Sequence, residues 1–271
     1  MAAVPGVQAP AARGAVRSTR WRALALPAAL LALWELAARL GWIQPHLMPP
    51  PSVLAQTLRE LAASGTLLEH MGVSALRVLA GFGIGASLAV LAGATVGLSR
   101  RLESYVDPTF QALRAIPSLA WVPLLLLWLG IDEAPKITLI AIGAFFPVYL
   151  SVQAGIQNVD RKFVELGQVY GLRGAALVRR IFIPAALPSL FTGLRTGLGL
   201  AWMFLVAAEL IAATGGLGYL LTDGRETGRA DVVLVAILLL AVLGKASDGL
   251  LKALEGRLLR WRDSYATTGE D

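Results

Sequence analysis

The chain has 271 residues, 56% of them hydrophobic and only 15% charged, against roughly a quarter charged in an average soluble domain. A formal net charge of +6 could signal nucleic-acid binding, but the basic residues are spread between apolar runs and not gathered in one patch. With no cysteine and two histidines, His46 and His70, disulfides and thiolate metal sites are excluded, and no metal-ligand set is visible.

The first 22 residues read as a disordered basic tail carrying Arg13, Arg17, Arg20 and Arg22. An apolar run from Leu24 to Ile43 follows, long enough to span a bilayer at about 1.5 Å per residue. It exceeds the usual signal-peptide core of about 7–15 residues and is read as a retained span. Glu35 and Arg39 stand four apart within it, where a helix lets them pair.

A polar break over 44–70 opens with Pro49-Pro50-Pro51. Five further apolar segments follow at 71–98, 108–130, 135–157, 188–214 and 231–254, which makes six predicted spans. At these lengths only helices satisfy the backbone in hydrocarbon, so the expected fold is an all-α integral membrane protein. Gly81, Gly85, Gly93 and Gly97 in the second span, with Gly83 among them, give small-residue spacing, as do Gly193 and Gly197 in the fifth. This suits close packing within one subunit or across a dimer. Pro117 and Pro123 predict kinks in the third span.

Charge alternates at the breaks. The tail, the break at Arg100-Arg101, the break holding Arg161, Lys162, Arg173, Arg179 and Arg180, and the end with Lys252, Arg257, Arg260 and Arg262 are basic. The intervening breaks are balanced or acidic. Basic segments stay cytoplasmic, so both termini are expected there.

Charges inside spans are candidate functional groups. Arg114 and Arg195, each about two turns inside the cytoplasmic edge, either snorkel to headgroups or guide an anion. Lys245 and Asp248 are expected to pair. Glu209, deep in the fifth span, either hydrogen-bonds another span or meets the solute. Gly215-Gly216-Leu217-Gly218 on the outer side is a simple turn or a flexible loop that meets a partner.

The break from Asn158 to Pro188 is long and amphipathic. Asp160 can cap a helix carrying Phe163, Leu166, Gly167 and Tyr170 on one side, and Gly171 can end it in the left-handed conformation. A second stretch covers Ala175 to Phe182, with Pro184 closing it and Pro188 opening the next span. Such a segment can lie on headgroups or dock in a partner's groove.

The residues Glu165-Leu-Gly-Gln-Val-Tyr-Gly171, nine more, then Ile181-Phe-Ile-Pro184, resemble the EAA loop of ATP-binding-cassette (ABC) importer permeases. Glu165, Gly171, Ile181, Ile183 and Pro184 match in type and spacing, while Leu166 and Gly167 replace the two alanines. The runs Arg114–Pro123 (with Trp121), Leu126–Ile131, Gly143–Pro147, Gly155–Asp160 and Gly215–Tyr219 resemble the nitrate/taurine/sulfonate branch. Ala62–Gly65 and Asp231–Asp248 look most like aliphatic sulfonate permeases.

The resemblance implies a type I importer fold with a permease domain over 23–262, a coupling loop over 158–187 and a C-terminal tail from 263. It implies a multi-pass inner-membrane subunit paired with a second permease copy. Two ATPase subunits would dock on the coupling loop, and a periplasmic or lipid-anchored solute-binding protein would deliver the cargo. Pathway or gate candidates are Arg114, Trp121, Arg195 and Glu209. No cofactor is implied for this chain, because ATP binds the partner: the one Gly-Lys pair, Gly244-Lys245, lies in a span and precedes Ala246, not the Ser or Thr of a phosphate loop. No covalent chemistry is expected. Aliphatic sulfonate is the expected cargo, with taurine, nitrate or a pyrimidine precursor as alternatives. An ion-coupled secondary transporter, which would show inverted repeats, and a membrane-embedded enzyme are the readings from other classes.

Overall fold

All the regular elements described, over residues 15–261 of a computed structural model, are helical. They are α1 (Ala15–Arg39), α2 (Pro51–Ala63), α3 (Thr66–Leu98), α4 (Arg100–Ala115), α5 (Val122–Leu129), α6 (Glu133–Gln157), α7 (Arg161–Val169), α8 (Ala175–Leu177), α9 (Ile183–Ala212), α10 (Leu217–Glu226) and α11 (Ala230–Leu258). A 3-10 turn at Ser118–Trp121 precedes α5, and a π-helical turn at Val178–Phe182 joins α8 to α9.

Among the described residues, α3, α6, α11 and the continuous run Ala175–Ile211 are long and apolar enough to cross a membrane. α4 with residues 118–129 meets the same test only as a pair, bent by 85°, which is the shape of a broken span or of a re-entrant loop. The first predicted span falls on α1. The predicted tails lie outside the described residues, except for residues 15–22, which fall at the start of α1.

Three expectations are corrected. The third predicted span is bent by 85° at Ile116-Pro117, where Pro117 predicts a kink, but its first helix, α4, begins at Arg100 and not at 108. Ile116 is extended, as the residue before a proline prefers. Pro123 sits in the first turn of α5, where no hydrogen bond is lost and no kink arises. In the same way Pro184 lies in the first turn of α9, and Pro188 lies inside that helix and does not open it. α2 lies within the polar break over 44–70, and α10 follows the Gly215-Gly216 turn.

α6 is the centre of the bundle, packed between α3 and α9. Its Leu139, Ile140, Ala144, Val148 and Tyr149 are almost wholly buried. The small-residue pattern explains the approach. A Cβ at Gly81 would stand 2.6 Å from the Ile140 side chain, and one at Gly197 2.9 Å from Val148 Cγ2. Gly85 faces the Ala141 backbone, and Gly193 meets Ser151. These glycines therefore pack helices of one subunit, whereas Gly83 has open space beside it.

Candidate functional site

The segment after α6 is built as the residue pattern requires. Asp160 accepts a hydrogen bond from the Lys162 amide at 2.9 Å and starts α7. The helix ends with Gly171 at φ +79°, with the Gly171 amide donating to Gln168 and the Leu172 amide to Gly167, both at 2.9 Å. This is the hydrogen-bond pattern of a left-handed glycine cap. Gly167 is the one buried residue of α7. A Cβ there would lie 2.9 Å from Leu177 Cδ1 and 3.2 Å from Ile181 Cγ1. The second alanine position of the motif is thus the contact point between α7 and the turn that follows, and glycine allows the tightest seating.

The other face of α7 is open. Phe163, Leu166, Val169 and Tyr170 are 57%, 53%, 83% and 78% exposed. Phe163, Leu166, Tyr170 and Ile181 line a shallow hollow of about 370 Å³ with Arg180 on its wall. Glu165 is exposed and pairs with Arg161 at 2.7 Å. Ile181 is half-buried against Gly167, and Ile183 is 52% exposed at the start of α9. Because α8, the π turn and α9 are one helical run of 37 residues, the second half of the loop is the end of a membrane helix.

Along that helix Arg195 bonds Asp248 on α11 through Nε at 2.8 Å and Nη2 at 3.2 Å, with Glu255 at 3.6 Å. Asp248 therefore pairs with Arg195 and not, as expected, with Lys245. Lys245 stands only three residues away on the same helix, whereas Arg195 presents its planar fork from α9. About two turns further along α9, Trp202 Nε1 donates to Ser247 Oγ at 2.9 Å. Arg114 is exposed in the last turn of α4, and Trp121 ends the 3-10 turn. Trp121 lines a cavity of about 400 Å³ between α3 and α6, whose walls include Ile84, Leu88, Leu113, Ile142 and Phe146.

At the other end of the bundle Glu209 is fully buried and saturated. It accepts from Arg77 Nη1 at 2.7 Å, from Ser74 Oγ at 2.8 Å, and from the Gly218 amide at 2.7 Å. The Leu217 amide donates to Ser74 Oγ, and the Gly216 amide to His70 Nδ1. The unpaired amides at the start of α10 are thus met by side chains from α3 and α9. The glycine-rich turn is consequently tied down, and the expectation of a flexible loop is corrected. Glu209 bonds another span, as one of its two readings held, and lines neither the α3–α6 cavity nor the outer one.

Arg77 was missed in the sequence, although a cation inside an apolar run is a signal in itself. Its Nε and Nη2 both hold Glu133 at 2.6 Å, and Glu133 also takes Lys136 Nζ at 3.0 Å. Arg77, Glu133, Glu69 and Gly215 line a second cavity, at the α10 end of the bundle, of about 560 Å³; it is the outer cavity if the basic breaks are cytoplasmic.

The sequence model described as binding-protein-dependent transport system inner membrane component matches residues 82–260. The chain is 41% identical over 244 residues to a putative aliphatic sulfonates transport permease protein of Bacillus subtilis, covering 90% of this chain and 88% of the relative. It is 43% identical over 240 residues to the protein of the same description in Escherichia coli, covering 89% and 91%. The taurine transport system permease protein of Escherichia coli is 36% identical over 239 residues, covering 86% and 87%.

Proposed function

The chain belongs to the family of binding-protein-dependent transport system inner membrane components, and from that premise we propose that it is the permease subunit of an ABC importer for aliphatic sulfonates. The observation that carries the reading is the α7–α9 segment. It joins an exposed apolar helix, through Gly167 against Ile181, to the N-terminal end of a helical run long enough to cross a membrane. The higher identity to aliphatic sulfonate permeases than to the taurine permease favours the cargo. A taurine permease is the second reading, supported by 36% identity.

In this reading α1 is the first of six crossings, the termini are cytoplasmic, and two copies of the chain enclose the pathway in the inner membrane. Two ATPase subunits bind ATP and seat α7 in a groove, with Phe163, Leu166 and Tyr170 as the apolar anchors and Glu165 and Arg180 on the polar rim. Gly171, Ile181, Ile183 and Pro184 hold that helix against α9. Closure of the ATPases shifts α7, and the run Ala175–Ile211, about 55 Å long at 1.5 Å per residue, carries the displacement across the bilayer. Arg195 couples α11 to the movement through Asp248. A solute-binding protein delivers cargo at the end formed by α10 and the start of α6. The α3–α6 groove lined by Trp121 faces the pathway, and Arg114 lies beyond its inner end. ATP then shifts the population between outward- and inward-facing states.

The test is ATP-dependent uptake of a radiolabelled alkanesulfonate by the permease with its ATPase and binding protein. Uptake is expected to fall to background with Glu165→Ala combined with Leu166→Asp, while the protein stays in the membrane. ATP-dependent uptake of taurine alone would replace the cargo, and uptake by this chain alone on an ion gradient would refute the reading.

A further inference from the structure

We propose that Arg77 receives the anionic head of the cargo at the outer mouth of the α3–α6 groove, and that Glu133 fills that anion's place in the resting protein; the inference rests on the alkanesulfonate reading above.

The guanidinium has a fixed side and a replaceable side. Its Nη1 is held from behind by Glu209 at 2.7 Å and by the Gly215 carbonyl at 2.6 Å. Its Nε and Nη2 form a forward fork on the two oxygens of Glu133, at 2.6 Å each. The Glu209 side chain is 0% exposed, whereas that of Glu133 is 53% exposed and opens into the outer cavity. Of the two carboxylates, only Glu133 reaches water, so its own charge can be solvated when it leaves, and the cost falls on Arg77 and Lys136, which then lack a partner until another anion takes its place. A sulfonate presents two oxygens to such a fork much as a carboxylate does, with charge-assisted hydrogen bonds of the same kind.

Charge balance points the same way. Arg77 and Lys136 are the two cations, Glu133 and Glu209 the two anions, and Lys136, only 6% exposed, has Glu133 as its bonded partner. With Glu133 turned out to solvent, the remaining three groups carry one net positive charge. A monoanion would restore neutrality. While Glu133 is in place, that balance and the exposed Glu69 on the same wall leave the cavity without attraction for a free anion.

The space behind the fork suits the rest of the molecule. Ile137 lines both the outer cavity and the apolar α3–α6 groove, and Ala80 of the first lies one helical turn from Ile84 of the second. An alkanesulfonate could keep its head on Arg77 while its chain enters between Ile84 and Ile142. An inorganic anion would use only the first half of this arrangement.

The experiment is equilibrium binding of radiolabelled pentanesulfonate to the permease–ATPase complex in nanodiscs without the binding protein. Uncharged pentanesulfonamide is the control, and ATP-dependent uptake by the complete wild-type importer is measured beside it. Glu133→Gln is expected to bind pentanesulfonate about tenfold or more tighter than wild type, the scale of one gained charged hydrogen bond, with no gain for the sulfonamide. Glu133→Gln with Arg77→Lys, which keeps the charge but not the fork, is expected to lose that gain. If Glu133→Gln fails to assemble, Glu133→Asp, with a carboxylate one methylene shorter, should show a smaller gain of the same selectivity. Equal gain for the sulfonamide, or none for the sulfonate while the wild-type importer takes it up, would overturn the role of Arg77 and leave the cargo standing. No alkanesulfonate uptake by the wild-type importer would overturn the cargo reading itself, and this inference with it.

Discussion

Arg77 and Glu209 stand 132 residues apart in the chain and meet at 2.7 Å, with the carboxylate wholly shielded from solvent. The same carboxylate takes the Gly218 amide and the Ser74 hydroxyl, so one side chain of α9 fixes α3 and the start of α10 together. Glu209→Gln keeps the shape but leaves Arg77 with reduced compensation. The expected loss of stability is about 3–5 kcal/mol, the range for breaking a buried pair. A matched pair of thermal unfolding curves in detergent checks this, and an unchanged midpoint would show that the knot is dispensable.

Gly167 separates two substitutions that sequence similarity alone would treat alike. Alanine there needs Leu177 Cδ1, the far end of a flexible side chain, to give way by a few tenths of an ångström. Gly167→Ala should therefore retain most uptake. Gly167→Leu forces α7 away from Ile181 and should cut ATP-dependent uptake by about tenfold or more, because a misplacement of about 1 Å is enough to uncouple a fitted contact. ATPase activity measured in the same vesicles should persist, and its loss in step with transport would point instead to failed assembly.

The Arg195–Asp248 pair joins α9 to α11. Either Arg195→Asp or Asp248→Arg alone places like charges together and should lower uptake. The double exchange should recover a substantial part, as expected for contacting residues whose effects do not add. Absence of recovery would mean that Glu255 and the surrounding helix ends, not this pair, set the position of α11.

Gly85 lies against the Ala141 backbone at the crossing of α3 and α6. Backbone cannot rotate aside as a side-chain terminus can, so Gly85→Val should spread the two helices. The expected cost is about 1–3 kcal/mol for overpacking, read as a lower unfolding midpoint. Gly83→Val, with open space beside it, serves as the control and should unfold like wild type.

Local order along the chain decided much of the architecture. Long apolar runs required helices, since lipid offers no partner for a free backbone group. The α7 segment was legible for the same kind of reason: Asp160, Gly171 and the spacing of Phe163, Leu166 and Tyr170 act within a few residues of themselves. The i,i+4 pair Glu35–Arg39, found at 2.8 Å, is a further local case.

What the sequence by itself determined were properties carried by neighbours along the chain: helix, cap, apolar face and the alternation of basic breaks. Tertiary structure alone decided the pairings across the bundle. Asp248 chose Arg195 over Lys245, Glu209 found Arg77, and a glycine-rich turn became a tethered helix start. It also decided that Pro184 and Pro188 lie within one continuous rod, with the irregular π turn at Val178–Phe182 directly before Pro184. The physical reason is common to all of these. A buried charge or amide must be satisfied by whatever packing brings within 3 Å or so, and packing is a property of the whole chain, not of any stretch of it.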